Sequence, residues 1–108
     1  MNTQFKKGVL ELCVLSLLKS GDKYGYELAE TISREISISE GTIYPILRRL
    51  RDEGCFEVYL MESSGGPPRK YNKITQHGLD VQKQLYDEWN SLTQKVTNLI
   101  GGNENEKE

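Results

Sequence analysis

The chain has no apolar run near the roughly 20 residues that a bilayer-spanning helix needs, and its first residues lack the charged, apolar and small-residue pattern of a cleavable signal. A soluble, cytoplasmic protein with no membrane partner is the expectation. It also has little chemistry to spend on catalysis. There is one histidine, His77, in "TQHG", and two cysteines, Cys13 and Cys55. No serine or cysteine stands at a spacing that suggests an activated nucleophile. These three residues are too few and too separated to form a zinc pattern, and no glycine-rich phosphate loop is present, since "SSGGPP" falls within a hairpin. Neither an enzyme nor a cofactor or metal protein is expected, and His77 reads as a surface or capping residue. A single cysteine pair is no disulfide framework, so both thiols are expected free and buried.

What the chain does have is a modest apolar content, 36 % of 108 residues, enough for one small domain that gains from a second subunit. The net charge of −2 argues on its face against nucleic acid, but its distribution does not. Acids collect in residues 74–108, ending in "NENEKE", whereas Arg48, Arg49, Arg51, Arg69, Lys70 and Lys73 gather in residues 42–73.

"KGVLELCVLSLLKS" is apolar on nearly every side and stops at Gly21, which predicts a helix buried on more than one face. In "YGYELAETISRE", Tyr24, Leu28 and Ile32 recur every fourth residue, the spacing of an amphipathic helix. A break at Ser37 to Ser39 follows, with Ser39 or Thr42 as N-cap of a third helix and Gly54 just past its end. The period then changes to two: Phe56, Val58 and Leu60 alternate with Glu57, Tyr59 and Met61, as in a strand. "SSGGPP" reads as a turn and "RKYNKI" as a second short strand, before Thr75 caps a last helix. Three helices and a β-hairpin make a winged helix-turn-helix, so the fold class expected is mainly α with a small β-hairpin (α+β).

The third helix carries both glycine and proline. On a helical wheel Ile43, Ile46, Leu47 and Leu50 share one side, while Gly41, Pro45, Arg48 and Asp52 fall opposite. Pro45 has no amide hydrogen and its ring crowds the carbonyl of Gly41, so either the first turn loosens or the regular helix begins nearer Thr42. Both leave a low, backbone-rich outward surface that can approach a phosphate backbone, with Tyr44 at its flank and Arg48 able to reach a base edge or phosphate.

The segments "ELCVLSLLKSGDKYGYELAETI", "SEGTIYPILRRLRDEG" and "GGPPRKYNKITQHG" together resemble the PadR family of transcriptional regulators. Its pattern includes a GYEL segment, a GT-aliphatic-YP-x-L-x-RL recognition helix and an RKYY-x-LT-xx-G wing exit. The likeness covers roughly residues 8–78 and places the recognition motif on Gly41, Thr42, Tyr44, Pro45, Leu47, Arg49 and Leu50, and the wing motif on Arg69, Lys70, Tyr71, Thr75 and Gly78. The chain departs from it at Asn72 and at Tyr24, where an aromatic and a histidine are common, and Pro67 and Pro68 stiffen the wing tip. The resemblance implies a dimeric winged-helix protein that binds a palindromic operator in double-stranded DNA, commonly as a repressor released by a ligand. The residues expected at DNA are Ser39, Thr42, Tyr44, Pro45, Arg48, Arg49, Arg69, Lys70 and Lys73.

In the last helix Leu85, Trp89, Leu92, Val96 and Leu99 step by four, three, four and three, a heptad seam that ends at Gly101 and Gly102. The three-helix head is too small to cover this seam and the first helix together, so homodimerisation through the two helices is expected. The resemblance adds that in some multidrug-responsive members an aromatic at the place of Trp89 lines a pore between subunits. Phe5, Gly8 and Leu12 of the first helix lie near one stripe opposite Trp89, where a planar aromatic effector could lodge. The domain organisation expected is a DNA-binding head over 1–75, a dimerisation helix over 76–100 and a disordered acidic tail over 101–108. The competing function is a winged-helix dimer used only for protein contacts.

Overall fold

The computed structural model describes the backbone of residues 3–101 and the side chains of residues 7–101. The Phe5 side chain and the tail from residue 102 lie outside the described residues. In chain order the elements are α1 (Thr3–Lys19), β1 (Lys23–Tyr24), α2 (Gly25–Ile36), α3 (Glu40–Asp52), β2 (Phe56–Ser63), β3 (Gly66–Ile74) and α4 (Gln76–Leu99), an α+β arrangement. The sheet is antiparallel with strand order β1-β3-β2.

Periodicity accounts for the core. Leu10, Val14 and Leu18 of α1 step by four and meet Leu28 and Ile32 of α2 and Ile43, Leu47 and Leu50 of α3, all buried. Cys55 and Phe56 close the cluster from the start of β2. Turn chemistry fixes the joints. Ser37 ends α2 in the left-handed region at φ 63, with its amide donating to the Ser33 carbonyl at 2.9 Å. Gly54, at φ 81, ends α3 while the Cys55 amide donates back to Leu50 O at 2.9 Å.

The junction of head and last helix is closely packed. Thr75 caps α4 by accepting from the Gly78 amide at 3.0 Å, and its hydroxyl donates to Gly54 O at 2.6 Å. Its own amide donates to Cys55 O at 3.0 Å. A Cβ on Gly78 would stand 2.0 Å from that same Cys55 oxygen, so only glycine lets α4 leave the sheet at this angle. Gln82, buried, then donates to Ser16 Oγ at 3.1 Å and ties α4 to α1. Beyond Leu85 the apolar side chains of α4 are largely exposed, with Trp89 and Leu92 beside Gly8 and Leu12 of α1, and the molecule measures 64 × 28 × 23 Å.

Two details depart from the sequence-based expectations. β1 is an added strand, two residues whose place is set by pairing of Lys23 with Asn72 and Tyr24 with Tyr71. Only Ser64 and Gly65 form the wing turn, and Pro67 and Pro68 belong to β3. Met61 pairs with Arg69 and Ser63 with Gly66, so Glu62 alone faces the two prolines; this bulge absorbs residues that cannot donate to a ladder. Of the two N-caps the sequence offers for α3, Ser39 is the one used, and the helix runs continuously from Glu40 with Pro45 inside it. The Gly41 carbonyl therefore loses its intrahelical donor on the exposed face. The thiols are free as expected, Cys55 buried but Cys13 only half-buried, and burial pushes both above the ordinary thiol range.

Candidate nucleic-acid interface

One face of α3 is sunk in the core through Ile43, Ile46, Leu47 and Leu50, which leaves Gly41, Thr42, Pro45, Arg48 and Arg51 exposed on the other. Ser39 and Thr42 lie together at the start of this face, their hydroxyls 3.0 Å apart. Tyr44, half-buried, packs on the core at its flank. The wing stands beside it, and a cleft of about 510 Å³ runs between the two elements. Its floor is apolar, from Leu47, Phe56 and Val58; Tyr44, Arg48, Arg51, Lys70 and Asn72 form its walls, and Gly25 at the start of α2 closes one end.

The sequence-predicted cations separate into three environments. Arg48 and Lys70 share the cleft, and Arg51, which was not among the expected DNA residues, joins them. Arg51 makes an exposed pair with Asp52 at 3.3 Å, a contact weak enough in solvent to be exchanged for another anion. Arg49 stands apart: it turns to Glu11 of α1 and forms an ion pair with it, half-buried. One residue along a helix is a rotation of about 100°, which carries Arg49 from the face of Arg48 to the side of α1. Wheel position combined with the charge pattern of the first helix contained that signal.

Arg69 and Lys73 form the third environment. Strand alternation puts residues 69, 71 and 73 on the sheet face opposite Lys70 and Asn72. There, Tyr24, Tyr71 and Tyr59 stack across β1, β3 and β2, with centroids 4.2 Å and 5.8 Å apart, and Tyr26 extends the stack at 5.8 Å from Tyr24. The guanidinium of Arg69 lies 5.2 Å from the centroid of the Tyr24 ring and donates to its hydroxyl at 3.1 Å. Tyr59 at the other end donates to Asp22 at 2.7 Å. Lys73 pairs across the ladder with Glu57. Arg69 is thus held by a tyrosine partner within the sheet before any ligand arrives.

The Tyr71 hydroxyl donates to that of Tyr24 at 2.8 Å, which splits two otherwise identical phenols. The bond from Tyr71, followed by that from Arg69, favours the Tyr24 phenolate and holds its pKa below the usual value. Giving that bond pushes Tyr71 up to about 12. A raised pKa on an acid stabilises the fold below the ordinary phenol value near 10, and the contribution fades as pH climbs towards 12. Tyr24→Phe removes the acceptor, so the most alkaline step in the phenolate absorbance titration is expected to move down towards the ordinary value. An unchanged last step would mean that the pair is not formed.

The α4 seam divides in two. Leu85 packs against the core, while Trp89, Leu92, Val96 and Leu99 are 36 %, 48 %, 42 % and 85 % exposed. Gly8, Leu12 and Trp89 come together, with Val9, Leu85 and Leu92, around an open groove of about 420 Å³. Nothing lies within 4 Å of where a Cβ on Gly8 would sit. Among the described residues no helix is long and apolar enough to cross a membrane.

Comparison with known proteins follows the same layout. The model of the Transcriptional regulator PadR-like family matches residues 14–84, from the end of α1 into the first half of α4. The crystal structure of a Streptococcus transcriptional regulator is similar at a TM-score of 0.82 and 36 % identity, over 92 % of this chain and 99 % of that one. A PadR-like transcriptional regulator from Bacillus cereus gives 0.80 and 39 %, over 91 % and 97 %. Uncharacterized protein X of Lysinibacillus sphaericus is 31 % identical over 100 residues, 89 % of this chain and 92 % of its own length.

Proposed function

The chain belongs to the PadR-like family of transcriptional regulators, and from that premise we propose that it is a repressor that binds a palindromic operator as a homodimer and leaves it when a planar aromatic effector enters the dimer seam. The observation that carries the DNA part is the uncovered face of α3. A helix with one face buried presents Thr42, Pro45 and Arg48 beside a wing whose Lys70 points to the same cleft. The Gly41–Pro45 stretch keeps that face low, so the backbone can approach a groove wall, and Arg48 one turn on reaches a base edge or phosphate.

The dimer part rests on α4. Four large apolar side chains at heptad spacing stand exposed along α4, and a second copy can cover them in knobs-into-holes fashion. The effector part rests on the groove at Gly8, Leu12 and Trp89, where an indole favours planar aromatic compounds by stacking. A ligand wedged there would alter the angle between heads and thus the spacing of the two α3 helices, coupling occupancy to operator affinity by reciprocal linkage.

Binding to the promoter beside its own gene, measured at several salt concentrations, separates the roles. Arg48→Ala is expected to cost about 1–3 kcal/mol on the operator and less on random duplex, as for a base contact. Lys70→Ala should weaken both alike and lower the salt slope by about one, as for a phosphate contact. Arg49→Ala, whose charge is spent on Glu11, should leave the preference for operator over random duplex unchanged. Equal, small losses on both duplexes from Arg48→Ala and Lys70→Ala would contradict this division.

A further inference from the structure

Four of the six tyrosines form one row on the sheet face opposite Lys70 and Asn72. Tyr26, Tyr24, Tyr71 and Tyr59 follow one another with ring centroids 5.8, 4.2 and 5.8 Å apart and interplanar angles of 15°, 29° and 19°. Rings this close pass an electron from one to the next. Both ends of the row give access to it: Tyr26 is 55 % exposed, and Tyr59 donates to the Asp22 carboxylate at 2.7 Å, a base placed to take the phenolic proton as an electron leaves. The middle pair is held together. Pairing of β1 with β3 sets Tyr24 opposite Tyr71, the Tyr71 hydroxyl donates to that of Tyr24 at 2.8 Å, and Arg69 donates to the same oxygen at 3.1 Å. Both rings are half-buried, so each meets the other before it meets a second chain.

From this geometry we propose that Tyr24 and Tyr71 are an oxidative modification site, at which a peroxide-derived one-electron oxidant, met at Tyr26 or Tyr59, joins the two rings by a carbon–carbon bond. Each phenol gives up one electron and its hydroxyl proton, the proton of Tyr71 leaving towards the Tyr24 oxygen it already faces. The two phenoxyl radicals couple between the ring carbons beside their oxygens, and the hydrogens on those carbons move to the oxygens as the rings become aromatic again. In sum, two carbon–hydrogen bonds give way to one carbon–carbon bond. The two electrons and two protons released reduce one hydrogen peroxide to two waters. The product resembles the starting pair, since its hydroxyls lie side by side across the new bond and its ring centroids are about as far apart as the 4.2 Å already present. The rings need only slide from stacked to edge-joined. The bond ties β1 and the start of α2 to β3, elements whose ladder is two residue pairs long, across 47 positions of the chain. None of this depends on DNA binding.

The test is oxidation of the full-length protein by a haem peroxidase with hydrogen peroxide limiting, followed by intact mass, blue biphenol fluorescence and mapping of joined peptides. A chain lighter by two hydrogens is expected, with the peptides that contain residues 24 and 71 linked. Tyr24→Phe and Tyr71→Phe keep the rings and the stack, and each should abolish this bond. Tyr26→Phe should slow it, and Tyr86→Phe, remote on α4, should leave it unchanged. A variant with phenylalanine at 26, 44, 59 and 86 retains only the proposed pair and should form the same bond, more slowly. The linked chain should melt about 10 °C or more above its parent, as when a disulfide closes a long loop. Unfolded in urea, the chain should lose its preference for this pair. The inference is overturned by a product of doubled mass joined through Tyr86 with no bond within the chain, or by oxidation confined to Trp89. Equal yields from the folded and urea-unfolded chains, or from the parent and Tyr71→Phe, also overturn it, and a linked chain that melts no higher overturns the tie.

Discussion

Gly78→Ala is expected to lower the melting temperature by more than about 10 °C. The added carbon would lie 2.0 Å from Cys55 O, 2.7 Å from Ile74 Cγ1 and 2.9 Å from the Cys55 carbonyl carbon. A flexible side chain could swing away, but a backbone carbonyl that already accepts from the Thr75 amide cannot. Either α4 lifts off the sheet or the turn after α3 opens. Both routes break the Thr75 contacts to Gly54 and Cys55. Overpacking alone costs about 1–3 kcal/mol, and each lost hydrogen bond adds about 1 kcal/mol. Gly41→Ala is the matched control, since its Cβ would meet nothing closer than Ser39 Oγ at 3.9 Å. Alanine at that exposed helical position should hold or raise stability. Thermal unfolding of the two variants decides the point, and a Gly78→Ala protein as stable as its parent would show that the joint between head and last helix is looser than described.

The second large effect concerns assembly. Trp89→Asp should convert a dimer to a monomer at micromolar concentration. Trp89 lies at the middle of the exposed seam, between Leu85, which the head covers, and Leu92, Val96 and Leu99, which it does not. If a second copy covers those residues, aspartate there buries an unpaired charge, at a cost of about 3–5 kcal/mol, and twofold symmetry places two such charges in one interface. At about 1.4 kcal/mol per tenfold, even one charge weakens association by about two to three and a half powers of ten. Light scattering checks this. A monomeric parent chain would remove the dimer proposal altogether, whereas a variant that stays dimeric would move the contact to another surface.

Much of this arrangement is legible in the sequence. Helical spacing of Leu28 and Ile32, the alternation from Phe56 to Met61 and the glycine stops at Gly21 and Gly54 are local signals, and local signals survive without a partner. What escaped is pairwise. β1 is two residues long and exists because Asn72 and Tyr71 lie beside it; no period can be read from two residues. The prolines at the wing tip suggested a turn because proline cannot donate to a ladder, yet a bulge opposite Glu62 removes that objection. Arg49 and Arg48 are neighbours of equal charge, and only the position of Glu11 on another helix turns one away from the outward face. Arg69 is held by a tyrosine 45 positions away in the chain, and Asn72 is buried by elements that precede it by 25 to 50 residues. Side-chain partners of this kind are set by the packing of elements, after the elements themselves.

A footprint of the full-length protein on the promoter beside its own gene tests most directly that two α3 helices of one dimer read one operator. Two protected patches related by a dyad are expected, centred one helical turn, about 34–36 Å, apart, and Arg48→Ala should erase both together. A single unsymmetrical patch, or binding that never exceeds that of random duplex at any salt concentration, would contradict it.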